Sequence, residues 1–309
     1  MGLKGTAYAI RTIEKVNKTE RISKNRQRTI SLDSVSSQLK AMELRDAALA
    51  KLLYIVNVVI TQTAEDIKSL LFELGFYIGC IRLYQKLTSI GLPICYPVPS
   101  IEERDILVFS GLEDITLAIS HNMIPVDNTL CLNKMKLTVV TGANQGGKST
   151  FLRSVGCAQI MAQCGMFVTA KDFLFAVRPR IFTHFCKPED ASMDSGKLDE
   201  ELTRLNRIID KLEPNTLLLM NESFSSTAEQ EGAAIAHEII GGLYEIGVKV
   251  IFVTHLYEFA HSIESAEKSD VCLLRAGRKN DGTRTFIIQP GVSLPTSYGM
   301  DLFREVIVQ

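Results

Sequence analysis

The feature that most constrains this chain is the segment 141–150, in which three glycines are followed directly by a lysine and two hydroxyl residues. Gly142, Gly147, Lys148 and Ser149 occupy the positions that define a phosphate-binding loop. Glycines allow backbone N–H groups to converge on phosphate oxygens without a side chain in the way. The lysine would reach the β- and γ-phosphates of a nucleoside triphosphate, and the serine hydroxyl would bind Mg²⁺.

The sequence on either side of this segment supports the same interpretation. Residues 136–141 predict a strand, and residues 149–164 predict a helix that ends at Gly165. The N-terminus of such a helix would add a positive charge of roughly half a unit. A chance match in a glycine-containing turn is the weaker alternative, because strand, loop and helix come in the required order. The predicted nucleotide contacts are Gly142, Ala143, Asn144, Gln145, Gly146, Gly147, Lys148, Ser149 and Thr150.

Short β-rich runs alternate with helical patterns after residue 100. Residues 217–220 are continuously apolar, and so are residues 248–253 apart from Lys249. Continuous rather than alternating hydrophobicity favours central strands covered on both faces, as in parallel α/β sheets. The predicted fold class is therefore α/β, a three-layer P-loop domain. Its strands are expected at residues 106–109, 137–141, 167–168, 181–185, 217–221, 250–254, 271–274 and 286–288.

Two polar residues follow the apolar strand that ends at Met220. In nucleotide hydrolases this position usually holds an acidic pair, whose first member helps to bind Mg²⁺ and whose second can activate the attacking water. Glu222 is the predicted catalytic residue, and a capping or salt-bridging role at the strand end is the alternative. Asn221 can accept a hydrogen bond from a metal-bound water but has no negative charge, so we expect weaker retention of Mg²⁺.

A histidine stands at the end of the next apolar strand, directly after Thr254. From the carboxyl end of a sheet strand, His255 could hydrogen-bond the γ-phosphate or the attacking water. A lone histidine is more often a structural residue, but the position after this strand favours the catalytic interpretation. The other four histidines have no comparable context.

Composition restricts the class of protein. The chain has 309 residues and a net charge of −1, so its overall charge does not indicate nucleic-acid binding. Its seven cysteines form no C-x-x-C pair, which is typical of reduced thiols in a cytoplasmic protein. No uninterrupted apolar stretch reaches the roughly 18 residues of a membrane-spanning helix, so we expect no membrane partner.

The region before residue 92 has a different pattern. Residues 1–30 are basic, which is typical of a solvated arm, with contact to phosphates as the alternative. Residues 34–89 predict two helices in an antiparallel hairpin, the second starting at Thr63 and carrying one apolar stripe. Because residues 93–100 are rich in proline, we expect a helical domain over 1–91 and an α/β domain over 92–309.

The segment 141–150 resembles the phosphate loop of the MutS family of DNA mismatch-repair ATPases, whose usual form is TGPNMGGKST. The shared pattern Asn-x-Gly-Gly-Lys-Ser-Thr is much more specific than the general sequence pattern of a phosphate-binding loop. Further segments resemble the family in the same order, over about residues 92–303. They are residues 165–170, 181–183 and 221–227, Thr254-His255, and the late Ser297-Tyr298-Gly299.

The resemblance implies an ABC-type arrangement in which two ATP sites lie between two ATPase domains. A partner subunit would reach the γ-phosphate through a signature loop, for which residues 194–197 are the best match, with Ser195 as the contact. Residues 225–227 would lie near the dimer interface, and the stretch around Ile124 is similar to the adenine-contacting segment. The hairpin would correspond to the family's lever helices. The implied cofactors are ATP and Mg²⁺, and the implied partners are a second copy and DNA.

The chain also departs from the family pattern. Asn221 replaces the usual acidic residue, and the Ser-Thr-Phe that usually follows the signature loop is absent. We find no mismatch-reading domain, clamp domain or nuclease-like tail, so we expect a divergent MutS-like protein or a fragment of one. The first hypothesis is an ATPase that hydrolyses ATP at a dimer interface and couples this to DNA binding in repair or recombination. The alternative is a nucleotide-gated dimerisation module with slow hydrolysis and no mismatch recognition.

Overall fold

The computed structural model describes residues 34–186, 196–279 and 282–294. Residue contacts divide the chain into two units, of which the first ends at Tyr77 and the second begins at Ile78. The candidate functional site lies in the second unit.

A single helix, α1 (Val35–Ile90), stands where the sequence predicted a helical hairpin. The hairpin prediction is wrong because no glycine or proline interrupts the chain near Thr63, and polar residues alone do not end a helix. α1 ends where predicted. Gly91 adopts a left-handed conformation (φ 92°), and its N–H donates to the Leu87 carbonyl at 3.1 Å.

The part of α1 in the first unit exposes apolar side chains. Leu70, Leu71 and Tyr77, from the stripe that the sequence predicted, are 54%, 63% and 63% exposed. An 18-residue window of α1 has a mean hydropathy of 1.5 and at most two charged residues, so the helix is long and apolar enough to cross a membrane. The prediction that no stretch qualifies is wrong, because it counted only uninterrupted apolar runs. One such helix is weak evidence of a span, since core helices and signal sequences meet the same criteria.

The second unit is built around a six-stranded sheet with the strand order β10-β9-β4-β8-β7-β6. All neighbours are parallel except the antiparallel pair β9 and β10. The central strands are fully buried, as their continuous apolar runs predict. The strands are β4 (Leu137–Thr141), β6 (Ile181–Phe185), β7 (Leu217–Asn221), β8 (Lys249–Val253), β9 (Val271–Arg278) and β10 (Arg284–Pro290).

Helices cover both faces of this sheet. The helix α3 (Lys148–Gln163) packs on one face, where its Val155 and Leu219 of β7 belong to one hydrophobic cluster. Three helices pack on the other face, where Leu218 of β7 joins a second cluster. They are α4 (Lys197–Ile209), α5 (Glu229–Glu245) and α6 (Tyr257–Ser265). The predicted α/β class is confirmed, with alternate residues of each strand pointing to opposite faces.

A second sheet has four strands in the order β1-β5-β2-β3. Sequence patterns predicted only β2, because β1 contains Pro99 and lies at an edge where proline is tolerated. The predicted strand at residues 167–168 is an isolated bridge between Cys95 and Val168. The helix α2 (Ile115–His121) follows β2. The strands are β1 (Val98–Ser100), β2 (Leu107–Leu112), β3 (Asn128–Cys131) and β5 (Asp172–Ala176).

The registers of the large sheet determine which residues meet at its carboxyl edge. Val140 of β4 pairs with Val253 of β8, and Asn221 of β7 pairs with the same residue. The segments that follow β4, β7 and β8 therefore emerge side by side. This edge carries the glycine-rich loop and the two polar strand ends that the sequence singled out.

Candidate functional site

The loop between β4 and α3, residues 142–147, has a backbone that requires glycine. Gly142 and Gly147 have φ angles of 114° and 90°, in the region that side chains rarely adopt. A Cβ atom at Gly146 would lie 2.9 Å from the Ala143 carbonyl oxygen. Gly147 is the N-cap of α3 and has no side chain to occupy the first N–H groups of the helix. These N–H groups are suited to bind an anion.

Lys148 is buried inside this loop rather than extended into solvent. Its ammonium donates to the carbonyl oxygens of Gly142 at 2.8 Å and Ala143 at 2.9 Å. Burial lowers the pKa of Lys148 to about 8, and the charge of Glu222 opposes that shift. Two uncharged carbonyl groups of the loop thus hold the lysine ammonium in place. An incoming anion would offer it a stronger, charge-assisted bond.

Ser149 and Asn221 bring two oxygen ligands together at the start of α3. The Ser149 hydroxyl donates to the Asn221 side-chain oxygen at 2.7 Å. Hydroxyl and amide oxygens suit Mg²⁺, which normally keeps several waters and takes few protein ligands. Among the described residues, no group of three or more His, Cys, Asp or Glu side chains could hold a metal ion. A magnesium ion here would therefore depend on Ser149, Asn221 and the oxygens of a phosphate ligand.

Glu222 and His255 form a pair at the ends of β7 and β8. The His255 Nε2 atom lies 3.1 Å from the Glu222 Oε1 atom. This hydrogen bond is the main cause that holds the pKa of Glu222 below its usual value, against the opposing effect of burial. Glu222 is therefore ionised at neutral pH. The structure thus brings together Glu222 and His255, the two residues that the sequence singled out at separate strand ends.

A cavity of about 330 Å³ lies beside the loop. Residues 145–151 form one side of it, and Glu222 closes one end. Met123 and Pro125 line it, whereas the intervening Ile124 lies near Gly91 and is 54% exposed. The cavity combines apolar walls with a loop whose N–H groups are suited to bind an anion. That combination suits a ligand with a flat apolar part and a phosphate chain.

Two segments distant in sequence complete the cavity. Asp114 lines it from the start of α2, where its carboxylate caps the helix and forms an ion pair with Arg153 at 2.6 Å. Phe286 lines it from β10, and its backbone approaches the loop closely at Gly147. Sequence reasoning missed both residues. An aromatic residue within the predicted strand 286–288 was the one available signal for Phe286.

A hollow of about 410 Å³ lies on the other side of the loop, bounded by Gly142, Asn144 and His255. Ser225 and Thr227 line it, whereas Ser226 instead bonds to a buried carboxylate of α4. The predicted partner contact Ser195 lies outside the described residues, and so does the late segment 297–299.

The similarity to known proteins lies in the part of the chain that contains the candidate site. A family profile described as MutS domain V matches residues 138–307, more than half of the chain. The chain belongs to the MutS domain V family. The matched segment contains the loop, the Ser149–Asn221 contact and the Glu222–His255 pair.

The relatives of this chain are much longer than the segment that they share with it. "DNA mismatch repair protein MutS" of Thermotoga neapolitana is 31% identical over 195 residues, 63% of this chain and 24% of the relative. The protein of that name from Shouchella clausii is 28% identical over 247 residues, 79% of this chain and 28% of the relative. The one from Streptococcus pneumoniae (strain Hungary19A-6) is 34% identical over 167 residues, 53% of this chain and 20% of the relative. The chain thus spans about a quarter of their length.

Proposed function

We propose that this chain is a MutS-type ATPase module that binds Mg²⁺-ATP in the cavity beside the loop and hydrolyses it. The observation that carries the proposal is that Lys148, Ser149 and Glu222 line one cavity, while Asn221 bonds to Ser149 and His255 bonds to Glu222. Each of these groups has a role in phosphoryl transfer, which depends mainly on positioning and charge stabilisation. Membership of the MutS domain V family supports the same conclusion.

The phosphate chain would lie on the loop and the base in the apolar part of the cavity. Backbone N–H groups of residues 142–150 would bind the β- and γ-phosphates, and Lys148 would leave its two carbonyl acceptors for phosphate oxygens. Phe286, with Met123 and Pro125, would contact the adenine. Ile124 remains the sequence prediction for that contact.

Hydrolysis requires a base that activates water near the γ-phosphate. Glu222 is ionised and held by His255, so it can accept a proton from the attacking water while His255 orients the carboxylate and senses the phosphate. Bound Mg²⁺ would supply charge neutralisation of the phosphates, with Ser149 and Asn221 holding it. Because Asn221 has no charge, we expect the ion to be bound more weakly than by an aspartate.

The biological role is proposed from the relatives. They are named DNA mismatch repair proteins, and we propose a repair-related role in the cytoplasm in which ATP turnover is coupled to DNA binding. Two copies would enclose the ATP sites, with Ser195 of each copy and the hollow lined by Ser225 and Thr227 at the interface. We also propose that the chain has a domain boundary near residue 92, with a helical domain before it and the ATPase domain after it.

The first prediction concerns binding and turnover in three variants. Lys148→Ala should abolish measurable binding of Mg²⁺-ATP, because the phosphates lose their main cation. Glu222→Gln should retain binding but hydrolyse about 100- to 10,000-fold more slowly, since the general base is lost. Lys211→Ala, an exposed lysine after α4, is the charge-matched control and should behave as wild type. Nucleotide fluorescence titration and phosphate release give the two measurements.

Two outcomes would contradict the proposal. If wild type does not bind Mg²⁺-ATP, or if Lys148→Ala binds it equally well, the loop is not a nucleotide site. If wild type binds ATP but turns over as slowly as Glu222→Gln, the chain is the slow, nucleotide-gated module of the alternative hypothesis.

A further inference from the structure

The loop after β7, residues 222–228, holds its backbone in an unfavourable conformation. Glu222 and Phe224 have φ angles of 55° and 66°, which non-glycine residues adopt only at an energetic cost. Such conformations persist when surrounding contacts hold them in place. The position of the Glu222 carboxylate therefore depends on whatever fixes the residues that follow it.

A buried carboxylate from another element fixes two of those residues. Glu201 of α4 is 5% exposed, and its Oε1 atom accepts the Phe224 N–H at 2.8 Å. Its Oε2 atom accepts the Ser226 hydroxyl at 3.1 Å. A charged acceptor makes both bonds stronger than neutral ones. Both oxygens of one buried carboxylate are thus directed at the loop that carries Glu222.

A buried histidine holds Ser223, the residue directly after Glu222. The Nδ1 atom of His184 in β6 lies 2.7 Å from the Ser223 hydroxyl, and its Nε2 atom lies 3.3 Å from the Glu201 carbonyl oxygen. Burial, together with the charge of Arg204, lowers the pKa of His184, so the ring is neutral. The ring and the carboxylate therefore belong to one buried hydrogen-bonded network.

We propose that Glu201 is a positioning residue that holds Glu222 in reach of His255, by binding the backbone and hydroxyl groups directly after it. The inference rests on the proposed function, because Glu222 is the general base only if the chain hydrolyses ATP. Glu201 touches neither the cavity nor the residues of the glycine-rich loop. Its loss should thus change the orientation of Glu222 and leave nucleotide binding nearly intact.

The test replaces Glu201 by glutamine, which keeps the shape and removes the charge. A glutamine oxygen can accept the Phe224 N–H or the Ser226 hydroxyl but not both, because the amide nitrogen is only a donor. Asp199→Asn is the matched control, since Asp199 is an exposed carboxylate in the first turn of the same helix. Ser226→Ala removes one of the two bonds without altering the carboxylate, and it serves if Glu201→Gln fails to fold.

The first readout is kinetic. Glu201→Gln should lower kcat about 100-fold, the size of effect that a displacement of about 1 Å produces, with the Kd for ATP changed less than about threefold. In a Glu222→Gln background the same substitution should have no further effect on kcat, because its action passes through Glu222. An equal loss in both backgrounds would overturn the inference.

The second readout does not need turnover. Carbon-13 NMR of labelled glutamate at one fixed, neutral pH, with Glu222→Gln to assign the signal, follows the environment of the Glu222 carboxylate itself. Because this carboxylate lies within hydrogen-bond distance of His255, moving it away from the ring should shift its carbon-13 signal in Glu201→Gln. Ser226→Ala should shift the signal less, and Asp199→Asn should leave it unchanged.

The two readouts separate this inference from the proposed function. If wild type fails to hydrolyse ATP, the proposed function fails, and the carbon-13 signal alone decides whether Glu201 holds Glu222. If this signal has the same position in wild type, Glu201→Gln and Ser226→Ala, the inference is overturned even in an active ATPase.

Discussion

At the scale of single residues, two buried cations fix the chain at the amino end of the large sheet. Lys249, the first residue of β8, donates to the carbonyl oxygens of Asp105 and Leu132, each at 3.0 Å. Arg178 donates to the carbonyl oxygens of Arg104 at 3.0 Å and Ile106 at 3.4 Å. Both cations are about 2% exposed. The Lys249 bonds connect β8 of the large sheet to the segments beside β2 and β3, and the Arg178 bonds connect the segment after β5 to the segment before β2.

Burial of this kind makes stability depend on pH. Burial, together with the nearby charge of Arg178, lowers the pKa of Lys249 to about 7. Above pH 7 the folded chain loses this proton, while the unfolded chain keeps it until its ordinary pKa of about 10.4. The unfolded state thus binds more protons over this window. Stability must therefore rise with pH between about 7 and 10 and stay level below 7.

The second prediction compares wild type with Lys249→Met between pH 7 and 8.5. The free energy of unfolding of wild type should rise relative to that of the variant by up to about 1.4 kcal/mol per pH unit. The variant itself should be less stable at every pH, because two buried carbonyls lose their donor. Urea unfolding at several pH values gives the difference. Parallel curves for the two proteins would show that Lys249 is protonated in the folded state throughout.

At the scale of elements, helix α5 approaches the loop after β7 too closely for any residue but glycine. A Cβ atom at Gly232 would lie 2.6 Å from the Phe224 carbonyl oxygen, a backbone atom that cannot move freely because Phe224 is buried. Gly241 lies on the same helix and is exposed, with no atom within 4 Å of its ideal Cβ position. The two glycines therefore form a matched pair.

The third prediction uses this pair. Gly232→Ala should destabilise the protein by about 1–3 kcal/mol, because the added methyl group must displace backbone. Gly241→Ala should stabilise it by about 0.5–1 kcal/mol, since alanine loses less conformational freedom in a helix. Thermal and urea unfolding measure both. Equal effects of the two substitutions would mean that α5 does not pack closely on the loop.

At the scale of the whole molecule, the ATP sites are proposed to lie between two copies. The fourth prediction is that the 34.3 kDa chain doubles in mass at sedimentation equilibrium when Mg²⁺ and a non-hydrolysable ATP analogue are added. Lys148→Ala should not respond to the analogue, whereas Lys211→Ala should respond as wild type does. The baseline is measured without nucleotide, because the exposed apolar face of α1 can associate independently.

One result would contradict the prediction of an ATP-dependent dimer. A wild-type protein that binds the analogue and keeps the same mass would show that two copies do not close around the nucleotide. The catalytic proposal for Glu222 would then stand without the dimer.

Much of the second unit could be predicted from local sequence. The bounds of β6 and β7 agree with the predicted ranges, and α3 begins one residue before its predicted start at Ser149. Buried parallel strands have continuous apolar runs, so the local sequence is enough to predict where they lie. The edge strands β1 and β3 and the interior strand β5 of the second sheet carry weaker patterns and were missed.

The first unit shows where local patterns fail. The prediction of a hairpin within α1 rested on Thr63 as the N-cap of a second helix, whereas one helix runs through this residue. A turn at that point needs residues that end a helix, and neither glycine nor proline occurs between Val35 and Leu74 of α1. The missing helix-breaking residues, rather than the apolar spacing, decided the length of the element.

The sequence by itself determined the glycine-rich loop, the strands beside it and the polar residues at their ends, because each depends on neighbours along the chain. The tertiary structure alone decided which distant side chains complete the site. Asp114 and Phe286 reach the cavity from α2 and β10, and Glu201 reaches the Phe224 amide across 23 positions of sequence. Contacts of this kind follow from packing between elements, which no local pattern of residues specifies.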